Sequence, residues 1–133
     1  MSQAGRNRTI HLTVAFALVC LAGTARAQNV VRDDFSTAST QGILKLCTAP
    51  QTDPFSQTAV GYCVGYLTGA FHYYKIMEAS GDGPKLVCFG SVEPSRREEI
   101  EKFVAWAQAH PEYGNDLAID SMFRFLGEQH PCP

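Results

Sequence analysis

The stretch Asp53–Ala79, DPFSQTAVGYCVGYLTGAFHYYKIMEA, decides the fold. Asp53 followed by Pro54 opens a helix: a carboxylate can accept from the free N–H groups of a first turn, and proline at the first helical position has no N–H to leave unpaired. Beyond it Val60, Val64, Leu67, Phe71 and Tyr74 recur at spacings of three and four, the period of one helix face. Ser80-Gly81-Asp82-Gly83-Pro84 then stops the chain with turn residues. The pattern predicts one helix of roughly 25 residues, from Pro54 to Ala79, with that apolar stripe buried.

Three glycines, Gly61, Gly65 and Gly69, fall inside this helix at a spacing of four. Each costs about 1 kcal/mol against alanine in a helix interior. Their regular spacing offers a compensating use, a groove in which another backbone or a bulky side chain comes close; the alternative is coincidence in a glycine-rich sequence. Tyr62, Tyr66 and Tyr73 share one side of the same helix, at spacings of four and seven. Tyrosine suits half-buried recognition surfaces because a large apolar ring carries a polar tip. Gly61, Tyr62, Gly65, Tyr66, Gly69 and Tyr73 are therefore the candidate interface. The alternative is that the rings cover the flank of the core.

Working outward, Ser36 to Leu46 can form a short helix, with Ser36 or Ser39 as N-cap and Ile43, Leu44 and Leu46 as its apolar residues. Residues 28–35 form a polar lead-in. Downstream, Ser95 and Glu98 make a capping box, and Ile100, Phe103, Val104 and Ala107 share a face of the helix it opens. Trp106 is offset, at the edge of that face or in an interface. This helix stops before Pro111. A last helix is expected from Asp116 to Glu128, with Asn115 as its cap and Ala118, Met122, Phe125 and Leu126 inward. No alternating strand pattern occurs. The expected fold is all-α, a bundle of about four helices.

Residues 1–27 stand apart. Arg6 and Arg8 precede the apolar run Ile10–Gly23, and Ala25-Arg26-Ala27 is an A-x-A cleavage pattern, which together read as a secretory signal peptide. The run is short of the roughly 20 residues that cross a bilayer, so no stable membrane insertion is expected. The expected mature domain is 28–133, periplasmic or secreted. Three of the 11 basic residues lie in the leader, leaving 8 against 13 acidic ones, a balance near −5. That argues against nucleic acid and against a polybasic membrane-surface protein.

Four cysteines remain, Cys47, Cys63, Cys88 and Cys132, an even number in an exported chain and none spaced C-x-x-C. They read as two disulfides rather than as redox or metal chemistry. Cys47 ends the first helix and Cys63 lies within the second, so an antiparallel hairpin can join them. Cys88 precedes the third helix and Cys132 follows the fourth, which the short connection at 110–115 makes antiparallel neighbours. Cys47–Cys63 with Cys88–Cys132 is the expected pairing, and Cys47–Cys88 with Cys63–Cys132 the alternative.

The residues that carry catalysis in other proteins do not converge here. No nucleophile elbow, zinc-protease helix or phosphate-binding glycine loop occurs. His72 lies mid-helix among aromatics, and His110 and His130 precede prolines near helix ends, where a cation suits the dipole. Glu98, Glu99 and Glu101 open a helix, which favours acidic side chains for the same reason. No catalytic, cofactor-binding or metal-ligating residue is assigned, and the expected role is non-enzymatic protein binding.

From Cys63 to Cys132 the chain resembles the Rap/Tai family of immunity proteins that accompany type VI secretion amidase effectors. The likeness rests on Cys63-Val64-Gly65-Tyr66-Leu67-Thr68-Gly69, similar to the family's C-x-G-Y-x-x-G helix, and on Cys88 before the third helix. His110-Pro111-Glu112, Ala118 and the terminal His130-Pro131-Cys132 add to it, and Cys47 matches an upstream cysteine. His72 stands where relatives tend to carry Asp, and Cys88-Phe89-Gly90 departs from C-x-P. The resemblance implies a periplasmic helical protein that binds and blocks a peptidoglycan amidase, often as a homodimer, with no chemistry or cofactor of its own. Two other roles are compatible with a small disulfide-linked helical domain: an acid-stress chaperone of the periplasm, and a binding or assembly accessory with no toxin partner.

Overall fold

The computed structural model describes residues 29–133; the expected leader, 1–27, lies outside the described residues. A 3-10 turn at Arg32–Ser36 precedes α1 (Thr40–Cys47), α2 (Ser56–Ser80) and α3 (Arg96–Ala109); a second 3-10 turn at Pro111–Tyr113 leads into α4 (Ala118–Gln129). Among the described residues the only β-type pairing is an isolated bridge between Ser39 and Leu117. The fold is all-α, as expected. The disulfides are Cys47–Cys63 and Cys88–Cys132, with Cα atoms 5.2 and 4.8 Å apart, and the alternative pairing is excluded.

Local chemistry explains the boundaries. Ser39, not Ser36, caps α1, its hydroxyl accepting from Gly42 N at 3.2 Å. The start of α2 shifts two residues past Pro54 because Asp53 does different work. Its carboxylate is buried and accepts from Phe55 N at 2.8 Å and from Val30 N at 2.6 Å, so it ties the lead-in to the turn before the helix. At the other end Gly81 takes φ 81°, and the N–H groups of Gly81 and Asp82 return to Glu78 O and Met77 O. Ser95 and Glu98 form both halves of the capping box of α3.

Asn115 does not cap α4. The N–H of Ala118 instead donates to Ala38 O at 2.8 Å, so a main-chain acceptor from the segment before α1 replaces the side-chain cap. The same region places Thr40 N on Asp116 O and the Thr40 hydroxyl 2.7 Å from that of Ser121, a buried polar pair satisfied between α1 and α4.

The shortest helix is the most enclosed. Ile43 and Leu46 of α1 have no exposed surface and lie in a core completed by Ala59, Cys63 and Leu67 of α2, Phe103 and Ala107 of α3, and Ala118, Met122, Phe125 and Leu126 of α4. The inward residues expected of α4 are all buried. The α2 stripe requires correction: Val60 is exposed and Val64 and Phe71 are only partly covered, while Ala59, Cys63, Leu67 and Tyr74 are buried. The cross-link from Cys47 turns Cys63 inward, which rotates the buried face by about one residue and brings the small Ala59 into the core.

Candidate functional site

With Ala59, Cys63 and Leu67 committed to the core, the opposite side of α2 is left uncovered. Gly61, Gly65 and Gly69 are exposed, and a Cβ built on any of them would meet no atom within 4 Å. Nothing in the same chain therefore enters the groove expected there. Tyr73 and Ile76 continue the stripe toward the helix C-terminus, 65% and 66% exposed. From Ser56 to Tyr74 the helix carries no Asp, Glu, Lys or Arg. An exposed helix face with so few charges is unusual for a solvated surface and matches the charge-depleted centre of protein interfaces.

The tyrosines divide. Tyr62 and Tyr66 are partly buried and stack on one another at 6.1 Å, with Phe35 edge-on to Tyr62 at 5.5 Å. They flank the core, as the alternative reading of the rings had it, while still bordering the glycine stripe. Burial, and then the nearby Tyr62 and Asp120, raise the Tyr66 pKa, so its hydroxyl keeps its proton. Tyr73 stands fully in the open face. Tyr74, one residue on, turns inward, and its hydroxyl accepts from Leu86 N and Val87 N at 2.9 and 3.1 Å, pinning the link between α2 and α3.

On another flank α2, α3, α4 and that link enclose a pocket of about 370 Å³. Leu67, Phe71, Phe89, Ile100 and Phe103 supply apolar wall, and His72, Lys75, Glu93, Arg96 and Glu99 supply the polar part. Glu99 is 9% exposed and held by His130 Nε2 at 2.9 Å and Lys102 Nζ at 2.8 Å. Burial alone would raise its pKa, but the hydrogen bonds from Lys102 and His130 outweigh that and keep the carboxyl below its ordinary value. His130 is fixed in turn: its carbonyl accepts from Cys88 N at 2.9 Å, and its ring packs edge-on against Phe89 at 4.6 Å.

Sequence reasoning gave Glu99 and His130 separate helix-dipole roles. Their pairing joins positions 31 residues apart and becomes visible only when Cys88–Cys132 brings the chain end beside α3. Trp106, expected at a face edge or in an interface, lies partly buried in a stack with His110 and Tyr113 at 4.5 and 5.5 Å, its indole N–H donating to Glu128. Arg124 covers the outer side of Tyr113 at 4.5 Å. His110 Nδ1 donates to Trp106 O at 2.7 Å. These groups are engaged in holding α3 to the turn and to α4.

Among the described residues no group of three or more His, Cys, Asp or Glu is placed to hold a metal ion, and no helix is long and apolar enough to cross a membrane. What the arrangement offers is surface: an uncharged helix face and a half-open apolar pocket. No curated protein and no solved structure matches the chain. A family model described as Rap1a immunity proteins matches residues 39–132, from the cap of α1 through the second disulfide. That span takes in the four α-helices among the described residues and the four disulfide-bonded cysteines, and the chain belongs to the family of Rap1a immunity proteins.

Proposed function

We propose that this chain is a periplasmic immunity protein that binds and inhibits a peptidoglycan amidase effector of type VI secretion, exported by residues 1–27, and that it works as a homodimer joined through α2. The observation that carries the interface is the uncharged, exposed stripe of Gly61, Gly65, Gly69, Tyr73 and Ile76. Two copies of α2 crossing antiparallel with Gly69 at the dyad would set Tyr73 of each opposite Gly65 of the other. Ile76 would meet the strip beside Gly61. Knobs at one end of the stripe thus meet the groove at the other, the self-complementarity that a two-fold interface requires. Small residues let the two backbones approach. Membership of the immunity family supports a protein effector as partner, and the peptidoglycan amidase follows the resemblance of the cysteine and glycine motifs.

The test has two arms. Light scattering on the mature protein should give a dimer mass, and Gly65→Leu or Tyr73→Glu should give a folded monomer; an unchanged mass in both variants would refute the α2 contact. Co-export of the wild-type chain with a peptidoglycan amidase effector of type VI secretion should protect cells from lysis and inhibit cleavage of isolated peptidoglycan. Failure of both, with the protein folded and exported, would refute the immunity reading. Holdase activity confined to low pH would then favour the chaperone role.

A further inference from the structure

The pocket between α2, α3 and α4 contains a group with no use inside the chain. Thr68 lines this pocket, and its Oγ1 is buried with no hydrogen-bond partner. A buried hydroxyl without a partner is unfavourable, and folded proteins rarely leave one unless something else completes it. The walls around it are Leu67, Phe71, Phe89, Ile100 and Phe103. At about 370 Å³ the space lies at the small end of the range for ligand sites, roughly 300–1,000 Å³.

The charges on the polar part are unevenly committed. Lys75 is paired with Glu78 at 2.6 Å, and Glu99 with both Lys102 and His130. Arg96 makes no ion pair within 4 Å among the described residues, whereas its neighbour Arg97 reaches Glu101. Glu93 is the remaining acid of the lining and lies within electrostatic reach of Lys75. The cation left uncommitted at the pocket is therefore a guanidinium, whose planar fork favours a carboxylate.

We propose that this pocket binds a small amphipathic carboxylate, with an apolar body the size of a medium acyl chain or a fused ring pair against the aromatic wall. Its charged end faces Arg96, and rotation of the Thr68 side chain toward the pocket lets a polar atom of the ligand complete Oγ1. The site lies on a different flank of α2 from the glycine stripe, so it can be occupied whether or not the chain dimerises or meets an amidase.

Decanoate and 2-naphthoate are suitable probes, titrated into the mature disulfide-bonded protein and followed by NMR and calorimetry. The expected result is saturable 1:1 binding with the largest shifts at Thr68, Phe71, Ile100 and Met122, and decanol bound at least tenfold more weakly than decanoate. Arg96→Gln should remove that difference. Thr68→Val should melt at a higher temperature than wild type when empty, because it deletes an unpaired hydroxyl, yet bind decanoate at least threefold more weakly. Shifts confined to the Gly61–Tyr73 face, no saturation, or equal affinity of wild type, Arg96→Gln and Thr68→Val would each overturn the proposal. Ile100→Trp, which fills the pocket from an only partly buried position, should abolish binding while the fold persists; retained binding in that variant would overturn it as well.

Discussion

Replacing Cys88 and Cys132 together by alanine opens the loop that contains α3 and α4. The sequence separation is 44 residues, for which the chain-entropy relation gives about 4 kcal/mol at 25 °C. Both cysteines are only partly buried, so their removal leaves no large core cavity to add to that figure. A second, smaller loss follows from what the bridge positions. Cys88 N donates to His130 O at 2.9 Å, and His130 Nε2 reaches Glu99 at 2.9 Å. Loosening the chain end weakens these bonds, and one such bond contributes about 1 kcal/mol. The expected total is therefore about 4–5 kcal/mol, out of the roughly 5–15 kcal/mol that a domain of this size possesses. Urea unfolding at pH 7 and 25 °C without reductant should show it as a midpoint lowered by about 1.3–5 M, since m is of the order of 1–3 kcal/mol per molar. A loss below about 1 kcal/mol would mean that the long loop is already constrained in the unfolded chain, and would refute the entropic account.

Acid should destabilise the fold through Glu99 and Asp34, whose folded pKa values lie below their ordinary ones, 4.5 and 3.8. A depressed carboxylate stabilises above its unfolded pKa and loses that contribution as pH falls through the folded one, so the melting temperature should drop below about pH 4.5. Glu99→Gln should be less stable than wild type at pH 7 and converge with it at low pH; parallel curves would refute the assignment. Asp53→Ala strips the acceptor from Val30 N and Phe55 N and should cost about 2–3 kcal/mol, with hydrogen-exchange protection lost at Val30 first; a change under about 0.5 kcal/mol would show that the lead-in is not tied there. Alanine at Gly61, Gly65 and Gly69 meets open space in the single chain, so each should raise monomer stability by up to about 1 kcal/mol, and a lower melting temperature in a monomeric background would contradict the open face. Thiol titration of the denatured, unreduced mature protein should find none.

Much of the fold was legible because it rests on local chemistry. Helix starts and stops written as Ser95–Glu98, Ser80–Gly81 and Pro111 need only a turn of chain to act, and the cysteine pairing followed from hairpin topology. The misreadings have a common source, contacts between distant segments. Asn115 is a good cap by type, but Ala38 O reaches the α4 terminus first. Val60 has the right spacing for the core, but the Cys47 cross-link turns the helix. Asp53 reads as a local cap, and its second oxygen serves Val30. Of the candidate face, the glycines and Tyr73 were readable as a stripe, while the internal stacking of Tyr62 and Tyr66 depended on the position of Phe35. The pocket was not readable at all, since Thr68 looks like an ordinary helix residue until its surroundings are known.

The division of labour among the helices then becomes clear. α1, α3 and α4 follow the rules that make a helical bundle stable: side-chain caps on α1 and α3 and a main-chain acceptor at the start of α4, inward apolar residues and satisfied buried polar groups. α2 breaks those rules at neighbouring positions. It has glycine three times where alanine would be more stable, and Thr68 where valine would leave no orphaned hydroxyl. The first departure faces open space and the second lies in the wall of a pocket, so neither is required by the packing of the single chain. A protein tends to depart from its stable pattern where a partner or ligand completes it. The two disulfides clamp α1 to α2 and the chain end to the link after α2, and by stabilising the rest of the bundle they allow one helix to carry both surfaces.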